Sequence, residues 1–246
     1  MELASMPAGV LVGTPMYGGQ CFDAYLLGVF DLQQECARRG IRLGLHTVRN
    51  ESLIQRGRNR VLHDFLAGDA SHLMFIDADI GFSGRDVLRI VAHCQANPGA
   101  LVGGTYAKKN RHRYDPAFVP LPEGARVTDA ELVEVMCLAG GFLCVPRDVA
   151  CRMAGAFREL WYRDGTTGDE HVLDLFATFA DPVTRQYWSE DYAFCIRWRQ
   201  LGGRVLLDPN IQLSHTGTTS FDGDPTSVFA NPPEPAAAPL SLVVGQ

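Results

Sequence analysis

Four apolar residues, Leu73-Met74-Phe75-Ile76, run without a break into Asp77-Ala78-Asp79, with Gly81 close behind. A continuous apolar run rich in Ile and Phe is the pattern of a strand buried on both faces of a mostly parallel sheet. In such sheets ligands bind beyond the carboxyl ends of the strands, and that is where the two aspartates fall. An unpaired buried carboxylate is costly. Two arrangements remove the cost: a divalent cation that also takes phosphate oxygens, or an acidic turn in which Asp79 caps the following segment. The local sequence leaves both open.

The flanking pattern places this strand third in an alternating series. Gly9 to Pro15 reads as a first strand closed by Pro, followed by the small-residue loop Thr14-Pro15-Met16-Tyr17-Gly18-Gly19. Ala24 to Arg39 has apolar residues at helical spacing (Leu27, Phe30, Ala37) and stops at Gly40. Arg42 to Val48 is a second strand. A helix capped by Asn50 or Ser52 then runs through Val61, Leu62 and Phe65 to Gly68. After the aspartates, Ser83 caps an amphipathic helix with Val87, Ile90 and Val91 inward, and Ala100 to Thr105 is a fourth strand. This alternation is that of a doubly wound α/β sheet. Neither a P-loop nor a dinucleotide fingerprint accompanies it.

The second half has a different texture. Residues 114 to 130 are Pro-rich and charged, which predicts irregular structure. Strands are expected over Glu131 to Leu138 and Phe142 to Val145, flanking Ala139-Gly140-Gly141. A short helix follows over Arg147 to Phe157. The aromatic-rich stretch from Trp161 to Trp188 suits an acceptor-facing region. Ser189-Glu190-Asp191 opens a helix ending at Gly202-Gly203, Arg204 to Leu207 is a strand, and a short strand over Ile211 to Leu213 leads to His215-Thr216-Gly217. From Gly223 the composition becomes Pro/Ala-rich, an extended or disordered tail. The expected organisation is one domain over 1–222, with a nucleotide-binding half at about 9–105 and an acceptor half at about 106–222, then a tail over 223–246.

Four further groups of residues bear on chemistry. Arg49, Arg56, Arg58 and Arg60 cluster at one helix start with Asn59, and the guanidinium fork suits phosphate or carboxylate. Arg56 and Asn59 are candidate contacts for a nucleotide. Tyr106 to Arg113 is basic, with Lys108 and Lys109 placed either to neutralise a diphosphate or simply to face solvent. Glu190 and Asp191 in a first helical turn serve the helix dipole or act as proton acceptors. His215 is a structural histidine or a metal ligand.

A net charge of -6 argues against a nucleic-acid partner. Of seven scattered cysteines without a C-x-x-C pair, most sit among apolar neighbours and read as reduced core residues. With no apolar run of about 20 residues and no signal-peptide pattern at Met1 to Gly9, the expectation is a cytoplasmic protein. Peripheral membrane association remains open.

Taken in order, the Thr14-Pro15 loop, the Gln55 to Asn59 helix start, Asp77-Ala78-Asp79, Gly140-Gly141-Phe142, Ser189-Glu190-Asp191 and His215-Thr216-Gly217 resemble the nucleotide-sugar-dependent glycosyltransferases of the GT-A fold, family-2-like branch. The resemblance spans roughly residues 9 to 222. It implies an α/β fold of GT-A type, with a Rossmann-like, mostly parallel central sheet flanked by helices and a mixed acceptor-side half. It implies a Mn²⁺ or Mg²⁺ ion held by Asp79 and His215, with Asp77 on the ribose or reaching the metal through water. Thr14, Pro15, Arg56 and Asn59 would hold the nucleoside of a UDP- or GDP-sugar. Lys108 or Lys109 would meet the diphosphate, and Gly140 and Gly141 would admit donor and acceptor. Asp191 would be the general base of an inverting transfer, with Glu190 shaping the site. The acceptor class stays open among glycan, lipid-linked and protein hydroxyls. Competing readings are a Mg²⁺-dependent nucleotidyltransferase, weakened by the absence of a basic residue from Thr14 to Gly19, and a non-catalytic carbohydrate-binding protein. An Asp-nucleophile phosphatase is disfavoured because the Asp pair follows the third strand.

Overall fold

The structure is a computed structural model and describes residues 9–109, 115–124, 126–128, 132–165, 167–168, 171–217 and 220–221. The expected tail from residue 223 and the basic residues Asn110 to Arg113 lie outside the described residues.

The first half alternates as expected: β1 (Val10–Met16), α1 (Asp23–Arg39), β2 (Leu43–Arg49), α2 (Ile54–Ala67), β3 (His72–Ile76), a two-residue β4 (Ile80–Gly81), α3 (Gly84–Ala96) and β5 (Ala100–Gly103). The second half is made of short pieces: β6 (Phe118–Val119), β7 (Arg126–Val127), β8 (Val133–Glu134), β9 (Cys137–Leu138), β10 (Phe142–Pro146) and α4 (Arg147–Ala156). Two hairpins follow, β11 (Trp161–Tyr162) with β12 (Val172–Leu173) and β13 (Phe179–Ala180) with β14 (Tyr187–Trp188). The described chain closes with α5 (Glu190–Gln200), β15 (Arg204–Leu207), β16 (Ser214–Thr216) and β17 (Ser220–Phe221).

The central sheet has eight strands in the order β2-β1-β3-β10-β5-β15-β8-β7. β2, β1 and β3 are mutually parallel, and so are β5 and β15. β10 runs antiparallel to both of its neighbours, β3 and β5, so those two point the same way. The result is a mostly parallel α/β sheet flanked by helices. All five residues of β3 are buried. Their alternation divides the core in two. Met74 and Ile76 join Val10, Val12, Val102 and Cys144 against α1 and α3. Leu73 and Phe75 join Leu143, Val145, Val205 and Leu207 against α2, α4 and α5.

Local differences from the sequence expectations have physical causes. On α1 the expected inward residues Leu27 and Phe30 are 65% and 54% exposed, while Tyr25, Gly28, Leu32 and Cys36 are buried. Gly28 sets this face, because a Cβ there would lie 2.8 Å from the Phe82 ring and carbonyl. Neither Asn50 nor Ser52 caps α2: its N-cap is Leu53, without a side-chain bond, and Asn50 lies in the left-handed region at φ 60°. The expected strand over Glu131 to Leu138 is interrupted, with β8 in the central sheet and β9 paired to β6. The strand expected at Ile211 to Leu213 forms instead at Ser214–Thr216 and pairs with β4. Ser83 does cap α3, in a reciprocal capping box with Asp86.

Asp208 pins the far end of β15 to α3. Its carboxylate, with no exposed side-chain surface, accepts from Arg89 and from His93, the latter at 3.1 Å, and from the Asn210 amide at 3.0 Å. Burial pushes this carboxyl up, but the hydrogen bonds from His93, Arg89 and Asn210 outweigh it and bring it down to about 2. A depressed carboxyl stabilises the fold above its unfolded pKa, and that contribution is lost as pH falls from about 4 through about 2. Asp208→Asn should therefore destabilise the protein at pH 7 by about 2 kcal/mol. The loss should shrink as denaturation midpoints are measured at lower pH, and a loss independent of pH would contradict the assignment.

Candidate active site

The parallel strands β1, β3 and β5 end along one edge of the sheet, and the reversed β10 begins there. Phe142 lies opposite Ile76, so Gly140-Gly141 sits beside Asp77. The Asp77 amide donates to the Gly141 carbonyl at 3.1 Å. The N-terminus of α5 reaches the same point, where the Gly140 amide donates to Asp191 Oδ2 at 3.0 Å. β16 pairs with β4 and carries His215 next to Asp79, and the Thr216 amide donates to the Asp79 carbonyl at 2.9 Å. Segments far apart in the chain thus converge on the turn after β3.

At the centre lies Arg58, 2% exposed. Its Nη2 donates to both oxygens of Asp77 at 3.0 and 3.1 Å, its Nε to Glu190 Oε1 at 3.2 Å, and its Nη1 to the Gly140 carbonyl at 3.1 Å. The guanidinium carbon stands 5.6 Å over the Phe75 ring. Burial works against the charge on Arg58, but Asp77 and Glu190 overcome it, and the group is held even more firmly protonated than usual. Burial also pushes the Asp77 carboxyl up, with Arg58 opposing and Asp79 reinforcing. Glu190 is raised by burial and by the neighbouring Asp191 charge, against Arg58. One cation is shared between two carboxylates, and both carboxyls rise.

Gly140 and Gly141 are explained by the same packing. A Cβ on Gly140 would lie 2.8 Å from the Arg58 guanidinium carbon, and one on Gly141 would collide with the Tyr106 hydroxyl. Tyr106 is buried, and burial together with Asp77 and Asp191 raises its phenol well above the ordinary value. The two glycines make room for protein side chains at this point of the cleft.

Asp79 has a different set of partners. Its Oδ2 is 2.6 Å from Lys109 Nζ and 3.4 Å from His215 Nε2. Burial raises this carboxyl, but the hydrogen bonds from His215 and Lys109 outweigh it and hold it below the usual range. His215 Nδ1 lies 2.7 Å from the Ala107 carbonyl, which can only accept. Nδ1 therefore carries a proton; Nε2 donates to Asp79 when the ring holds both protons, and presents its lone pair on that side when the ring is neutral. Two donors each about 2.1 Å from one ion stand about 3 to 3.4 Å apart, depending on the angle between them. The Asp79–His215 pair fits a divalent ion, and its backbone-oriented imidazole is what such ligation requires. Among the described residues no group of three or more His, Cys, Asp or Glu side chains is placed to hold a metal. The remaining coordination positions would fall to ligand oxygens and water.

Asp191 accepts three hydrogen bonds: from Ser189 Oγ and the Tyr192 amide on Oδ1, and from the Gly140 amide on Oδ2. Ser189, expected to cap α5 through its side chain, makes no cap bond and donates to Asp191 instead. A cleft of about 600 Å³ opens over the Asp77-Ala78-Asp79 turn, walled by Pro15, Tyr17, Phe22 and Ile54. A larger one, about 700 Å³, lies between α1 and β16 and contains neither aspartate.

Other expected contacts are directed elsewhere. Thr14 has no exposed surface and shares a 2.6 Å hydrogen bond with the Tyr25 hydroxyl. Asn59 is 1% exposed, its amide nitrogen on Asp174 at 2.6 Å and its oxygen on the Phe176 amide at 3.1 Å. It anchors the β12 loop. Arg56 pairs with Glu51 at 3.3 Å and Asp164 at 3.4 Å. Lys108 pairs with Asp115 at 3.2 Å, and Lys109 is the lysine at Asp79. Asp77, expected as a ribose or metal contact, has both oxygens on Arg58. Arg58 belongs to the arginine cluster but not to the expected nucleotide contacts, although its spacing sets it apart: 58, 61, 62 and 65 form the buried stripe of α2. A charged residue in an apolar stripe requires a buried partner.

No protein-family model matches the sequence, and no curated protein matches it. Among solved structures, the chain is similar to A197 from STIV, with a TM-score of 0.52 at 16% identity over 85% of this chain and 86% of that one. It is also similar to GalNAc-T7, solved with UDP, GalNAc and Mn²⁺: TM-score 0.48, 12% identity, 85% of this chain and 43% of that one. A third similarity is to a glycosyltransferase involved in glycosylation of the major capsid of PBCV-1, with a TM-score of 0.34 and 8% identity over 58% of this chain and 63% of that one. At 16% identity the likeness to A197 is one of fold.

Removing Arg58 leaves two carboxylates without their shared cation. Arg58→Ala should lower stability by about 3–5 kcal/mol at pH 7, the cost of stranding buried charge. Urea denaturation measures this, and a loss below about 1 kcal/mol would mean that Asp77 and Glu190 reach water without it.

Proposed function

We propose that this chain is a glycosyltransferase that moves a sugar from a nucleoside-diphosphate sugar to an acceptor hydroxyl. The observation that carries the proposal is the pair Asp79 Oδ2 and His215 Nε2. They stand 3.4 Å apart beside the turn after β3, whose other aspartate, Asp77, is joined through Arg58 to Glu190 at the N-terminus of α5. Asp79 and His215 would hold Mn²⁺ or Mg²⁺, which as a Lewis acid would favour departure of the diphosphate. Pro15 and Tyr17 line the cleft where the nucleoside would lie. Arg58 fixes Asp77 beneath the cleft and keeps it from competing for the cation.

Asp191 is assigned as general base. Its orientation is set by three donors, none of them charged, so it keeps a lone pair for an acceptor proton without breaking an ion pair. In the transfer the acceptor hydroxyl gives its proton to Asp191 as its oxygen bonds to the anomeric carbon, and the bond from that carbon to the diphosphate breaks on the opposite face. The outcome is inversion. Glu190 is the second candidate base, favoured by its raised carboxyl and disfavoured by its bond to Arg58.

Asp79→Ala should abolish Mn²⁺-dependent binding of UDP- or GDP-sugars, read by calorimetry, while leaving the fold intact. Metal-dependent binding that survives would remove Asp79 from the site. Asp191→Asn should bind donor normally and transfer about 10²–10⁴ times more slowly, with Glu190→Gln affected less. The reverse ranking would move the base to Glu190. A nucleotidyltransferase would instead form pyrophosphate from a nucleoside triphosphate and a sugar phosphate. A carbohydrate-binding protein would show no donor turnover.

A further inference from the structure

Lys109 occupies the position where the cation belongs. Its Nζ and His215 Nε2 address the same oxygen, Asp79 Oδ2, at 2.6 and 3.4 Å. The lysine is 40% exposed, on the segment leaving β5, whereas His215 is 14% exposed and tied through Nδ1 to the Ala107 carbonyl. One partner of the carboxylate is built in and the other is a long, mobile stem. Two cations on one carboxylate oxygen repel each other, most strongly when one of them is a divalent ion in contact with that oxygen.

We propose that Lys109 is an exchangeable counter-ion. It neutralises Asp79 in the substrate-free protein, yields that carboxylate to the divalent ion, and then turns its ammonium to the diphosphate held by that ion. The inference rests on the metal–diphosphate reading of this same site and adds a role for Lys109 to it. It follows that Lys109 opposes metal binding and favours nucleotide binding, two effects of opposite sign from one side chain. A lysine that merely shapes the loop would produce neither. Lys108 provides the internal comparison, because its ammonium is committed to Asp115 at 3.2 Å.

The test measures Mn²⁺ affinity of the nucleotide-free protein by electron paramagnetic resonance, then UDP and GDP affinity at saturating Mn²⁺ by calorimetry. Lys109→Ala should bind Mn²⁺ about two- to fivefold more tightly than the unmodified chain, the range expected from losing a half-exposed ion pair. It should bind the preferred nucleotide several-fold more weakly, whereas Lys108→Ala should match the unmodified chain in both. Unchanged or weaker Mn²⁺ binding in Lys109→Ala overturns the proposal, and so does undiminished nucleotide binding. Asp79→Ala separates the two levels. If Mn²⁺ binds and Asp79→Ala abolishes it while Lys109→Ala changes nothing, only the exchange fails. If neither the unmodified chain nor Lys109→Ala binds Mn²⁺, the exchange falls together with the metal reading.

Discussion

The arrangement of the site depends on one buried guanidinium. From α2, Arg58 satisfies Asp77 at the end of β3, Glu190 at the start of α5 and the Gly140 carbonyl ahead of β10, so three segments with no local reason to meet are held by a single planar group. The planarity matters: a lysine ammonium is a point charge and could not keep these directions at once. A buried ion network of this kind contributes little net stability, because desolvation offsets the Coulomb attraction. What it does contribute is placement. It sets the distance between the carboxylate under the cleft and the helix that bears the candidate base.

The sheet makes this possible by reversing one strand. β10 lies between β3 and β5 and runs against both, so its first residues stand at the edge where its neighbours finish. Had it run parallel, Gly140-Gly141 would lie at the opposite end of the sheet, some five residues of strand away. The reversal brings a flexible, side-chain-free dipeptide against Arg58 and Tyr106, and its amide orients Asp191. The chemistry proposed here thus draws on both ends of strands, in contrast to a purely parallel sheet, where one edge supplies everything.

The two aspartates after β3 have divided roles. Asp77 turns to Arg58, with its carboxyl pushed up by burial; Asp79 turns to His215 and Lys109, with its carboxyl held down. Past the end of the strand the turn gives the two side chains different partners, a buried guanidinium for one and a half-exposed lysine with a histidine for the other. Of the two candidate lysines, Lys109 is the one at Asp79, while Lys108 pairs with Asp115. In an irregular segment no periodicity says which of Lys108 and Lys109 turns inward.

Local pattern alone specified a good deal. The βα alternation, the doubly buried β3, the Ser83 cap and the strands at Phe142 and Arg204 follow from hydrophobic period and capping chemistry, which act over a few residues. The approach of His215 to Asp79 was legible only through the resemblance of spaced motifs. Tertiary structure alone decided the insertion of β10, the burial of Arg58 in place of Arg56, and the use of Asn59 as a loop anchor. The physical reason is range. Propensity and periodicity report what a residue prefers beside its neighbours in the chain, whereas a buried charge is placed by whichever distant carboxylate or carbonyl the fold brings within 3 Å of it.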